Sequence, residues 1–315
     1  MARVVLVTGA ARTLGGRLAK ALASHPAITE VIGVDVIPPV QPLTGVRFIR
    51  TDIRSPAIAK VLLDAGVDTV AHMGVIATRR QAGGRVAMKE INVIGTMQLL
   101  AACQQTPSVT RLVVKSSASI YGCGPKDPAI FTEGMDPRHP PTSGWAKDCA
   151  EVEAYVRGFR RRRPDVCVTI LRPANVIGPH MQTAMTEYFQ MPIIPTLLGY
   201  DGRLQFLHQD DAVSFAMEAS VRDVPGTFNL AGSGVLTLMQ AVRRTQHRWL
   251  AVPASMLATV GKRLPGGDQA DFSREQVRLL TYGRVLDTGR AEHAFQHVTN
   301  YSTAAAFADF LAQGT

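Results

Sequence analysis

Val4-Val5-Leu6-Val7-Thr8-Gly9-Ala10-Ala11-Arg12-Thr13-Leu14-Gly15-Gly16 opens the chain with an apolar run, a glycine turn and the start of a helix. Glycines at such a turn let the backbone approach a pyrophosphate at the helix N-terminus. The next apolar run, Val31–Val34, ends at Asp35, 20 residues past Gly15. A carboxylate at that distance suits the hydroxyls of an adenosine ribose. Strand, turn, helix, strand and acid together predict a dinucleotide site built on Gly9, Arg12, Thr13, Leu14, Gly15 and Asp35.

The rhythm continues outward. Further apolar runs are Val46–Ile49, Thr69–His72, Leu112–Val114 and Val166–Leu171, separated by helical stretches. Short all-apolar strands alternating with helices predict an α/β fold: a Rossmann-type, doubly wound parallel sheet. From about Val176 the rhythm weakens, and Pro179, Pro192 and Pro195 break the chain into short pieces. The expected division is a dinucleotide-binding domain over 1–175, to which 206–225 and about 281–291 return. Residues 176–205 and 226–280, with the C-terminus, would form a small substrate lobe.

The 315 residues are 46% hydrophobic and 19% charged, enough apolar content for a full core and too much for disorder. No apolar run reaches about 18 residues, which excludes a membrane-spanning helix, and the first apolar run is too short for a secretory signal. A cytoplasmic, non-membrane protein is expected. The net charge is +9, with 27 arginines against seven lysines. The one basic block, Arg160–Arg163, ends a helical stretch at Pro164, where cations favour a helix C-terminus, so no nucleic-acid partner is expected. Cys103, Cys123, Cys149 and Cys167 have no short metal-ligand spacing; reduced thiols and no metal are expected.

Later segments resemble the extended short-chain dehydrogenase/reductase family, in its epimerase/dehydratase branch. Thr51-Asp52-Ile53-Arg54 resembles the stretch that contacts adenine, through Asp52 and Ile53. Val70-Ala71-His72-Met73-Gly74 resembles the fourth-strand end that backs the cofactor, through Met73 and Gly74. Asn92-Val93-Ile94-Gly95-Thr96 matches the family's helix motif, which implies a place for Asn92 at the cofactor. Lys115-Ser116-Ser117-Ala118-Ser119-Ile120-Tyr121-Gly122 matches its serine-bearing strand end, which implies a catalytic role for Ser117. Leu171–Pro179 is similar to the next strand and its exit, with Pro173 and Asn175 beside the cofactor. Phe206–Ala212 and Gly226–Gly232 also match. His72 and His208 are expected to be structural.

The resemblance implies catalysis by a Tyr-x-x-x-Lys pair, but here Ser143 stands where the tyrosine belongs and Lys147 where the lysine does. Serine is far less acidic than a phenol of pKa about 10, and shorter. Surrogate proton sources are Tyr121, a water held by Ser143 and Ser117, the Lys147 ammonium, or an acidic group on the substrate. Lys147 is expected to keep a bond to the nicotinamide ribose. Asp35 favours NAD; Arg12, which in the shorter branch can grip a 2′-phosphate, keeps NADP as the alternative. The sugar-nucleotide members hold a diphosphate with an arginine where this chain has Leu204, and no further cation element is recognisable near Tyr282-Gly283-Arg284. Met181, Met185, Tyr188, Phe189, Met191, Ile193 and Ile194 would form lobe core or an apolar pocket. The leading expectation is an atypical NAD(P)-dependent ketoreductase or dehydrogenase for a bulky, non-nucleotide small molecule, such as a secondary metabolite. The rivals are a nucleotide-sugar epimerase/dehydratase and a non-catalytic cofactor-binding sensor. A homodimer is compatible with either.

Overall fold

The apolar runs become strands, the inner ones covered on both faces and the outermost, Val46–Arg50, only partly buried. In the computed structural model, which describes residues 3–76, 83–138 and 140–312, β1 (Val4–Thr8), β2 (Glu30–Asp35), β3 (Val46–Arg50), β4 (Thr69–His72), β5 (Arg111–Lys115) and β6 (Cys167–Pro173) lie parallel in one sheet. The strand order is β3-β2-β1-β4-β5-β6, completed at the far edge by a seventh strand, Gly226–Leu230. The order reverses between β1 and β4, and ligands of such sheets bind outside the carboxyl ends at that switch point.

One face is closed by helices Thr13–Ala23 and Gln209–Val221, whose Leu14, Leu18, Leu22 and Phe215 share a core with Val5, Val7 and Phe228. The other is closed by Ala57–Asp64, Gly95–Gln105 and Gly144–Arg162, which bury Leu62, Leu99, Val152 and Phe159 on Leu6, Val70 and Leu112. Arginines at the end of Gly144–Arg162 are helix-end groups, as expected: Arg163 donates to the carbonyls of Cys103 and Val109 at 3.0 and 2.9 Å and pairs with Asp165.

The lobe has its own core of Met185, Tyr188, Phe189, Met191, Ile194, Phe206 and Phe307. Most of the insert's apolar residues are therefore structural. The expected boundaries need three corrections. Residues 226–230 belong to the main sheet, because Phe228 and Leu230 are buried under the helix face. Strand Phe206–His208 pairs with Asn175–Ile177 outside that sheet, so the return to the domain starts with the helix at Gln209. Gly283–Arg284 pairs with Arg203–Leu204 of the lobe, and the last return begins at Gly289–Ala294, where Ala291 joins the Phe228 core. Among the described residues no helix is long and apolar enough to cross a membrane.

Candidate functional site

The carboxyl ends of β1, β4, β5 and β6 meet the lobe across a cleft of about 1250 Å³. That exceeds the ~300–1,000 Å³ of a site for one small ligand, so two can share it. Its domain side is lined by Arg12–Gly15, Met73–Ile76, Lys115–Ser117 and Pro173–Val176. Thr142, Trp145 and Ala146 enter from the start of the helix at Gly144. Met181–Met185, Glu187 and residues 267–276 close it from the lobe.

The glycine turn is fixed by close backbone approach. Gly9 has φ +71°, and a Cβ there would meet the Gly74 Cα at 2.7 Å. The first helical N–H groups after Arg12 have no intrahelical partner. No side chain caps them and no acid stands in the first turn. They face a cleft that an anion can enter. Asp35 lies behind the turn, with its side chain 6% exposed. Its carboxylate accepts from Ala11 N at 3.2 Å, and Arg12 Nε is 3.7 Å away. Asp52 is held by Arg54 at 2.6 Å, which lowers its pKa against the opposing effect of burial. Ile53 packs under Gly95, whose added Cβ would meet it at 2.8 Å.

Asn92 does not reach the cleft wall. It sits in a π turn, Glu90–Ile94, and its amide pairs with both backbone groups of Ile76, at 2.7 and 3.0 Å. It thereby fixes the segment beyond β4. His72 is structural, as expected. A chain of donors runs from Gly74 N–H to Thr8 Oγ1, from that hydroxyl to His72 Nδ1, from Nε2–H to Thr96 Oγ1, and on to Asn92 O. Burial pushes the ring's pKa down to about 3, so it stays neutral. His208 is equally enclosed: it caps the helix at Gln209 and meets Asp309 at 3.0 Å.

The expected catalytic group is not brought together. Ser117 lines the cleft and accepts from Ser119 N at 3.1 Å. Ser143 is exposed and donates to Glu275 Oε1 of the lobe at 2.8 Å, tying lobe to domain. Lys147 lies beside Glu151 at 3.8 Å; neither it nor Ser143 contributes to the cleft wall. Tyr121 is 1% exposed, stacked on Phe131, and its hydroxyl donates to Asn229 and accepts from Arg172, both at 2.7 Å. Burial raises its pKa further, so the proton-donor expectation for Tyr121 is corrected: it is a strut beneath the cleft.

Two features were missed. Lys115, the last residue of β5, lies in the cleft; a lysine closing Leu-Val-Val was the available signal. Arg278 and Arg284 also line it, from the lobe. Arg284 stands opposite Leu204 in the strand pair, while Leu204 itself is fully buried. The expectation that no cation stands in this region is therefore corrected, because strand pairing between distant segments supplies one. Seven basic side chains line the cleft against four acidic ones. Among the described residues there is no cluster of three metal-ligating side chains, and all four cysteines are unpaired.

The NAD dependent epimerase/dehydratase family model matches residues 5–231. The uncharacterized protein Rv0501 of Mycobacterium tuberculosis is 43% identical over 313 residues, covering 98% of this chain and 83% of that protein. Human short-chain dehydrogenase/reductase family 42E member 1 is 29% identical over 69% of this chain and 58% of its own length. Among solved structures, UDP-glucuronic acid 4-epimerase from Bacillus cereus, in complex with UDP-glucuronic acid and NAD, superposes with a TM-score of 0.75 at 19% identity, over 99% of this chain and 98% of that one. UDP-glucose 4-epimerase from Thermotoga maritima gives 0.76 at 18% identity, over 98% of both chains.

Proposed function

The chain belongs to the NAD-dependent epimerase/dehydratase family of extended short-chain dehydrogenases/reductases, and on that premise we propose that it oxidises or reduces a hydroxyl- or carbonyl-bearing carbon of a bulky substrate that also carries a phosphate or carboxylate. The family's cofactor is NAD, and the residues fit it. The uncapped helix start at Thr13–Gly15 supplies N–H donors for a pyrophosphate. Asp35 behind the turn suits a free ribose hydroxyl. Bound NAD takes or gives the hydride; the chain orients it and manages the charge that develops.

Asp35→Ala should move preference towards NADP by about tenfold or more, because Arg12 then faces a 2′-phosphate without a competing carboxylate. Dissociation constants for both nucleotides, by calorimetry, check this. An unchanged ratio would assign the choice to Arg12 alone.

The observation that carries the substrate reading is Arg284. Its Nε donates to Gly122 O at 3.1 Å, which aims the guanidinium along the cleft wall, and Arg278 lines the same space. Met181, Met185 and Phe272 provide apolar surface nearby. Nucleotide-sugar chemistry is the second reading, favoured by the same two arginines. UDP-glucose serves as the diphosphate probe on NAD-loaded protein. Hydrogen bonds to charged groups contribute about 1.5–3 kcal/mol each, so Arg284→Met should weaken an anionic ligand tenfold or more. If neutral ketones raise the melting temperature while UDP-glucose and simple phosphate or carboxylate compounds do not, the anionic-substrate reading falls.

A further inference from the structure

Lys115 closes β5, after four buried residues, and places an ammonium in the cleft. Its Nζ donates to Val75 O at 2.9 Å, just beyond the end of β4. The amine thus bridges the ends of two central strands, where ligands of this sheet type bind. The Trp145 ring centroid is 5.9 Å from Nζ. Ser117, two residues on, lines the same wall.

Three ionisable groups face it: His72 from β4, Cys149 from the helix at Gly144, and Arg12 from the glycine turn. His72 is neutral, and burial holds the Cys149 thiol protonated. No carboxylate pairs with Lys115 among the described residues. An ammonium has three donors, and Val75 O takes one. Burial, with Arg12 adding to it, pushes this lysine down to about 8. A strand end needing only apolar filling would not hold a cation there.

We propose that Lys115 is the proton-holding group of the reaction: Nζ keeps its proton when reduced nicotinamide occupies the cleft and releases it when oxidised nicotinamide does. The proposal rests on the NAD-linked reading above. In the reducing direction, the carbonyl carbon gains a C–H bond with the electron pair supplied by reduced nicotinamide. The carbonyl π pair moves to oxygen, and that oxygen takes a proton from Nζ. The neutral amine would regain a proton from solvent once the oxidised nicotinamide has left. Oxidation runs the same transfers backwards. An amine titrating near neutrality can serve both directions.

Like charges repel, so the positive ring should lower the proton affinity of Lys115. Calorimetry of NAD+ and NADH binding between pH 6.5 and 9.5, in buffers of different ionisation enthalpy, reads this without any substrate. In the wild type, NAD+ should bind about tenfold tighter at pH 9.5 than at pH 7, with net proton release, while NADH affinity changes less than about twofold. Lys115→Met should bind NAD+ without the pH slope and without proton release. Lys115→Arg should hold its charge throughout, so NAD+ binding stays weak and flat with pH while NADH binding persists. A slope that survives in Lys115→Met, or one that Lys147→Met removes instead, overturns the proposal. Failure of the wild type to bind either nucleotide would instead overturn the NAD-linked reading itself.

Discussion

Gly15→Ala will lower the melting temperature and remove NAD binding together. A Cβ at this position would stand 2.2 Å from Gly9 O and 2.7 Å from Gly9 C, both backbone atoms. The turn cannot retreat, because Gly9 is itself pressed against Gly74, where an added Cβ would meet the Gly74 Cα at 2.7 Å. The helix must move instead. It buries Leu14, Leu18 and Leu22 in the core above the sheet, so lifting its first turn opens that packing. Overpacking typically costs about 1–3 kcal/mol, and a clash between backbone segments belongs at the upper end. The same movement displaces the N–H groups offered to the pyrophosphate, and affinity for NAD should fall by about a hundredfold or more. Thermal unfolding and calorimetry on the one variant check both. The sequence alone suggests a different outcome for Gly15→Val: blocked pyrophosphate approach with the fold intact. A variant with wild-type melting temperature and no NAD binding would restore that simpler view.

What could be read from the chain was whatever is set by neighbours in sequence. The glycine turn, Asp35 and the apolar strands depend on local spacing and on burial, and they stand where the spacing put them. What could not be read depends on segments far apart. Leu204 looked like a missing cation because its partner, Arg284, lies 80 residues on and arrives only by strand pairing. Residues 226–230 looked like lobe because β6, their partner, lies upstream of the first lobe insert. Ser143 and Lys147 have spacing for one helix face. Spacing does not say that Glu275, itself on the lobe side of the cleft, and Glu151 engage them, nor that a lysine from β5 reaches inside. Tyr121 was a candidate because Ser143 replaces the expected tyrosine; its enclosure by Phe131, Arg172 and Asn229 comes from three separate segments.

That enclosure carries the largest stability effect. Arg172, next to last in β6, grips Glu153 of the helix at Gly144 with two hydrogen bonds, 2.9 and 2.6 Å long. The Glu153 side chain is 1% exposed and the Arg172 side chain 9%. The arginine also donates to Tyr121 and to Glu133 O, and Ser116 donates to Glu153 at 2.6 Å. Arg172→Met would leave a buried carboxylate with one hydroxyl and the half-exposed Arg157, 3.5 Å away, for company. Breaking one side of a buried pair costs about 3–5 kcal/mol. Because Ser116 and Ser117 form the cleft floor above this network, ligand binding should weaken as well. A second variant separates charge from packing. Arg172→Met with Glu153→Leu removes both charges, and a double-mutant cycle should recover most of the loss, since paired removal of a buried ion pair is often near neutral. Denaturant unfolding of the wild type, both single variants and the double variant measures the cycle. If the double variant is as unstable as the single one, the hydrogen bonds from Arg172 to Tyr121 and Glu133 O, rather than the stranded Glu153 charge, hold the end of β6 in place.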